Sequence, residues 1–137
     1  MPRSLFVSYN PITGIPSGHH VNGNAVAYSC EIYPYRHLLL PGVRWASSLS
    51  KSERVAREAF TADAQSADVV YLYIGLDQEE GAVSLLQDLQ SLKKKIHIVA
   101  CECSSRATAL ALRFSTDIIR AECKGRETMA RLLSECA

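Results

Sequence analysis

The sequence predicts an α/β domain built on a single open, mostly parallel sheet flanked by helices, Rossmann-like or flavodoxin-like in kind. Two observations carry that prediction. From Ser50 onward short apolar runs alternate with helix-patterned segments, the rhythm of right-handed βαβ units. The runs themselves, such as Val69 to Ile74, are apolar at successive positions, as in strands covered by helices on both faces. With 137 residues the chain is expected to form one domain over residues 1 to 137, with an irregular segment at about 10 to 48. A chain of that length buries about two thirds of its unfolded surface around one core.

The first strand is read at Ser4 to Tyr9, in the centre of the sheet. The segment after it, Asn10 to Asn24, is rich in Gly, Pro and Asn. Asn22-Gly23 is a type I′ turn signal, so His19 to Val21 and Asn24 to Ser29 are expected to pair as a hairpin; the alternative is that the whole segment is one loop. Tyr28, Tyr33, Tyr35 and Trp45 are concentrated in the first third, and they either pack beneath the sheet or form the interface of a homodimer.

Ser50 to Glu53 reads SKSE, a capping box in which serine and glutamate side chains accept from each other's free backbone N–H groups. A helix follows to about Ala64, with Val55, Ala56, Ala59 and Phe60 as its apolar stripe. The next strand is read at Asp68 to Leu76. The helix at about Gln78 to Lys94 places Ala82, Leu85, Leu86 and Leu89 on one face, and Lys93, Lys94 and Lys95 complement its negative terminus. A strand at Ile96 to Cys101, a helix at Ser105 to Phe114 and a short strand at Asp117 to Ala121 follow. The last helix carries Met129, Leu132, Leu133 and Cys136 at the same spacing.

Composition narrows the function classes. A formal net charge of +1 supplies no field for nucleic acid or an anionic membrane, so neither is expected as a partner. No apolar run is long enough to span a bilayer, and LFVSY after MPRS is too short for a signal-peptide core; a cytoplasmic protein is the expectation. Five cysteines, Cys30, Cys101, Cys103, Cys123 and Cys136, are an odd number without paired spacing and read as free thiols. Cys101 and Cys103 lack the second ligand pair of a zinc site, and adjacent His19 and His20 lack a third ligand, so no metal and no cofactor is implied.

In an open parallel sheet ligands bind where strands end at their carboxyl side. Four segments lie there: SYNPITG, GLDQEEG, CECSSR and AECKGR. Ser104, Ser105 and Arg106 could hold a phosphate or carboxylate at a helix start, or Ser104 could be an N-cap alone. Lys124, Gly125 and Arg126 offer a second such start. Asp63 and Asp68 flank the amino end of a strand and read as structural. Walker and GxGxxG fingerprints are absent, which speaks against a nucleoside triphosphate motor and a standard dinucleotide dehydrogenase. Asp77, Glu79 and Glu80 crowd three carboxylates after a strand. They begin a helix, with Asp77 and Glu80 at capping-box spacing, or they do chemistry at the end of that strand.

The segment AFTADAQSADVVYLYIGLDQEEGAVSLLQDLQSLKKKIHIV resembles the nucleoside 2-deoxyribosyltransferase-like group, and with the opening LFVSY it also resembles TIR domains, over about half of the chain. That resemblance implies a flavodoxin-type fold, nucleoside or NAD-like substrates and cleavage of an N-glycosidic bond. It implies a glutamate nucleophile, a role that Glu80 or Glu79 would fill in place of the family's glutamate, with Asp77 as the residue that orients the sugar or moves a proton, and Tyr9 and Asn10 as the lining of the base. The sequence departs from the family inside the helix, where Gly81 is followed by AVSLLQ with no acid until Asp88. Two functions are therefore carried forward. One is an N-glycosyl transferase or hydrolase acting on a nucleoside or nucleotide. The other is a non-catalytic nucleotide-binding or protein-interaction module.

Overall fold

The computed structural model describes residues 3–8, 19–21, 25–29, 60, 62–74, 83, 86–87, 89–100, 105–120 and 125–136. Six strands lie in one sheet: β1 (Ser4–Ser8), β2 (His19–Val21), β3 (Ala25–Ser29), β4 (Val69–Ile74), β5 (Lys95–Ala100) and β6 (Asp117–Arg120). Their order is β2-β3-β1-β4-β5-β6, with β2 antiparallel to β3 and every other pair parallel. Two helices have defined bounds, α1 (Ser105–Arg113) and α2 (Gly125–Cys136). Further helical residues lie at 60 and 62–66, and at 83, 86–87 and 89–91.

The open, mostly parallel α/β sheet is the fold class that the alternation of elements predicts. Placing β1 between β3 and β4 makes it central, and all five of its residues are buried, Ser4 and Ser8 included. The hairpin signalled by Asn22-Gly23 forms: His19 pairs with Ala27 and Val21 with Ala25. His19 and His20 are strand residues of this hairpin, not loop residues. Because only three residues separate β2 from β3, β2 needs no crossover and becomes an antiparallel edge on a parallel sheet.

One face of the sheet is aliphatic and closed. Leu5, Val7, Val70, Leu72, Ile96 and Ile98 point into a core completed by Phe60 and Ala64, by Leu86 and Leu89, and by Ala107, Leu110 and Phe114 of the three helical segments on that side. Leu86 and Leu89 are fully buried, as their spacing predicts; Ala82 and Leu85 lie outside the described residues. The other face holds Phe6, Ala25, Ala27, Val99 and Met129 of α2, with Tyr71, Tyr73 and Ile119 half-buried around them. β4 is therefore covered unequally: Val70, Leu72 and Ile74 are buried, and Val69, Tyr71 and Tyr73 are half-buried. The expectation that this strand is closed on both faces holds for one face only, since hydrophobic tyrosines read like buried residues although their hydroxyls tolerate water.

Two ties fasten the strands to the segment that precedes β4. Arg3 N donates to Asp68 Oδ2 at 2.9 Å, and Asp68 N donates to the Arg3 carbonyl at 2.8 Å. The Tyr28 hydroxyl donates to Asp63 Oδ2, joining β3 to the helical residues 62–66. Both aspartates are structural, as their place in the sequence suggests. Tyr28 is only 5% exposed and meets Phe60 edge-on at 5.2 Å, so it packs beneath the sheet and adds nothing to an adhesive surface. Tyr33, Tyr35 and Trp45 lie outside the described residues.

Candidate functional site

The carboxyl end of β5 leads into α1, which begins at Ser105 as the sequence predicts. Ser105 and Arg106 are both exposed, and the first turn of α1 carries no acidic residue, so a hydroxyl and a guanidinium are open to water at this helix start. α2 starts at Gly125 with Glu127 in its first turn, where a negative charge offsets the helix dipole. Of the candidate site residues proposed from sequence, Ser105 and Arg106 start α1, Gly125 and Arg126 start α2, and Lys124 lies outside the described residues. Tyr9, Asn10, Asp77, Glu79, Glu80 and Ser104 lie outside the described residues, as do Cys30, Cys101, Cys103 and Cys123.

The structure brings together a set of side chains that the sequence reading did not. In-register pairing across four parallel strands aligns Phe6, Tyr71, His97 and Asp117 on the half-covered face. Phe6 stacks on Tyr71 with ring centroids 4.8 Å apart and 10° between planes. Tyr71 stacks on His97 at 5.2 Å and 20°. His97 Nδ1 then lies 3.6 Å from Asp117 Oδ2, an ion pair only when the imidazole is protonated. Burial lowers the His97 pKa from its ordinary value, Asp117 opposes that shift and Lys95 adds to it, so the ring favours the neutral form. No sequence pattern marks the ladder. The three rings are separated by long stretches of chain and meet only through register.

Tyr28 is the other strongly perturbed group. Burial pushes its pKa far up, and the Asp63 carboxylate that accepts its hydrogen bond adds to the shift. A tyrosine held neutral with its hydroxyl committed to a carboxylate is a fastening, not an acid–base catalyst. Among the described residues no group of three His, Cys, Asp or Glu side chains could hold a metal ion. Among them too, no helix is long and apolar enough to cross a membrane.

No family model matches the chain, and no curated protein matches it. Among solved structures it is similar to the FeoB G-domain from Methanococcus jannaschii, with a TM-score of 0.52 and 14% sequence identity over 98% of this chain and 96% of that one. At that identity the likeness concerns the fold alone: an open α/β sheet with the same overall course.

Proposed function

We propose that this chain is a non-catalytic binding module of G-domain shape, which does not hydrolyse a nucleoside triphosphate. The carrying observation is a G-domain-like course without phosphate-binding chemistry in its first crossover. A P-loop needs Gly, four residues, Gly, then Lys and Ser or Thr, immediately after the first strand, so that backbone N–H groups, an ammonium and a magnesium-binding hydroxyl surround the phosphates. The chain after β1 reads YNPITGIPSG, in which Gly14 and Gly18 have the wrong spacing and neither precedes a lysine. The pair with the right spacing, Gly18 and Gly23, flanks β2 and is followed by Asn24-Ala25. No lysine or arginine occurs between Arg3 and Arg36. Each missing charge-assisted contact forfeits about 1.5–3 kcal/mol of phosphate binding. The expected outcome is that pure protein releases no phosphate from GTP or ATP with Mg²⁺ above the buffer rate. Turnover that copurifies with the protein and is lost on mutating residues 9–18 would refute the proposal.

A second reading, a nucleotide held without turnover, is favoured by the exposed start of α1. Ser105 and Arg106 stand where a phosphate would meet a helix N-terminus at the carboxyl side of β5. Arg106→Ala should then weaken nucleotide binding by about 1.5–3 kcal/mol. N-glycosidic chemistry at Asp77, Glu79 and Glu80 has no support from the described residues. Release of free base from a nucleoside panel, abolished by Glu80→Gln, is the result that would establish it.

A further inference from the structure

We propose that His97 and Asp117 form a proton-operated latch on β6: a proton on the His97 imidazole draws the Asp117 carboxylate against β5 and holds this edge strand closed, although the same proton weakens the domain as a whole. β6 is the strand that such a latch would serve. It lies at the edge of the sheet, has four residues and pairs with β5 alone. Asp117 is its first residue, with a side chain 71% exposed. Little burial holds that end, so a charge on the neighbouring strand acts where β6 begins.

His97 is placed to supply that charge. Its ring is stacked at 5.2 Å on Tyr71, which is stacked at 4.8 Å on the fully buried Phe6, so the imidazole is held at its position in the row. The next position, on β6, belongs to Asp117, with Oδ2 3.6 Å from Nδ1. At that separation a neutral ring gains little from the carboxylate, whereas an imidazolium gains a Coulombic attraction. The charges that act on the ring are Asp117 from β6 and Lys95 from its own strand. β4 presents Tyr71, and α2 covers this face with Met129, Ala130 and Leu132, while its Glu127, Arg131 and Glu135 are exposed.

The proton has opposite effects on two equilibria. Against the unfolded chain, burial disfavours the charged ring and outweighs Asp117, so folding lowers the His97 pKa and stability falls on acidification. Against a state in which only β6 has lifted, the balance reverses. The exposed Asp117 hides little of the ring, which is covered by Tyr71 while α2 packs over β5; lifting β6 removes the attraction and leaves most of the burial. Relative to that lifted state, closing β6 raises the His97 pKa. The latch is therefore engaged below the midpoint of the lifted state and released as pH rises through the midpoint of the closed one. When β6 lifts, it bares the edge of β5, a row of backbone groups open to pairing with another strand.

Amide hydrogen exchange and histidine titration by NMR on the same isotope-labelled protein test the latch between about pH 7.5 and about pH 5. Protection at the β6 amides bonded to β5, corrected for intrinsic exchange, should rise roughly threefold on acidification while that at Leu72 and Ile98 falls. Asp117→Asn should abolish the rise and lower the His97 midpoint by roughly half a pH unit, the worth of one exposed pair. Lys95→Ala should raise that midpoint and keep the rise. His97→Gln, which retains Asp117 but has no proton to gain, should leave β6 protection independent of pH even if Asp117→Asn disturbs the strand. Protection at β6 that falls in step with Leu72 and Ile98, or a His97 midpoint unmoved in Asp117→Asn, would overturn the proposal.

Discussion

The two faces of the sheet use the same strands and are built on different principles. On one face Leu72 and its aliphatic neighbours are sealed under three helical segments, with no exposure at Leu5, Val7, Val70, Leu72 or Ile98. On the other, α2 covers Phe6 and Val99, while Tyr71, Tyr73 and His97 remain half-buried around a stack of rings. The first face holds the domain together through buried area, at about 25 cal/mol per Å². The second gives up part of that area and keeps polar edges available to solvent. Stability should therefore depend on position across the sheet more than on side-chain size.

The largest effect is expected from Leu72→Ala, which opens a cavity in the sealed face and should cost about 2–5 kcal/mol in urea unfolding. Next comes Tyr28→Phe. It keeps the ring against Phe60 but removes the Tyr28 hydrogen bond from the Asp63 carboxylate, for an expected loss of about 1.5–3 kcal/mol. The same tie should make the protein alkali-sensitive. The folded pKa of Tyr28 is raised, so its contribution is intact below about pH 10 and falls as pH rises beyond that value, where the unfolded chain ionises first. Tyr28→Phe should flatten that loss in melts recorded above pH 10.

On the half-covered face Tyr71→Leu should cost only about 0.5–1.5 kcal/mol, the worth of the stack it breaks with Phe6 and His97, although tyrosine is larger than the leucine lost at position 72. A larger loss at Tyr71 than at Leu72 would reverse the comparison. The smallest effect concerns His97. Its folded pKa is depressed, so below about pH 6.5 the unfolded chain takes up a proton that the native state resists, and stability falls with pH until the lower folded pKa is reached. His97→Phe should reduce the difference in unfolding midpoint between about pH 7.5 and pH 5.5.

Much of the fold was legible because its signals are local. Ala107, Leu110, Ala111 and Phe114 repeat at helical spacing and are all buried. Asn22-Gly23 announces a hairpin between segments only a few residues apart, and β2 and β3 form it. The unequal covering of the sheet was not legible. Tyr71 and Tyr73 are apolar enough to read as core, and only the placement of α2 decides how much of each ring is covered. The ladder was invisible for a different reason: Phe6, Tyr71 and His97 meet through parallel register between strands far apart in the chain. Lys93, Lys94 and Lys95 were read as a complement to one helix terminus; that Ser115 and Thr116 lie beside them depends on where a second helix ends. For the carboxyl-end site the sequence located the start of α1 at Ser105 correctly, and Ser105 and Arg106 are exposed there.

The reading of this chain as a G-domain-shaped module without phosphate machinery is tested most directly by calorimetric titration with GTP in the presence and absence of Mg²⁺. With no glycine–lysine–hydroxyl sequence after β1 to bind the metal-bridged phosphates, Mg²⁺ should leave the affinity for GTP unchanged or weaken it by neutralising the ligand's charge. Tightening by Mg²⁺ of a hundredfold or more, about 2.7 kcal/mol, would contradict the account and return the protein to the nucleoside triphosphatases.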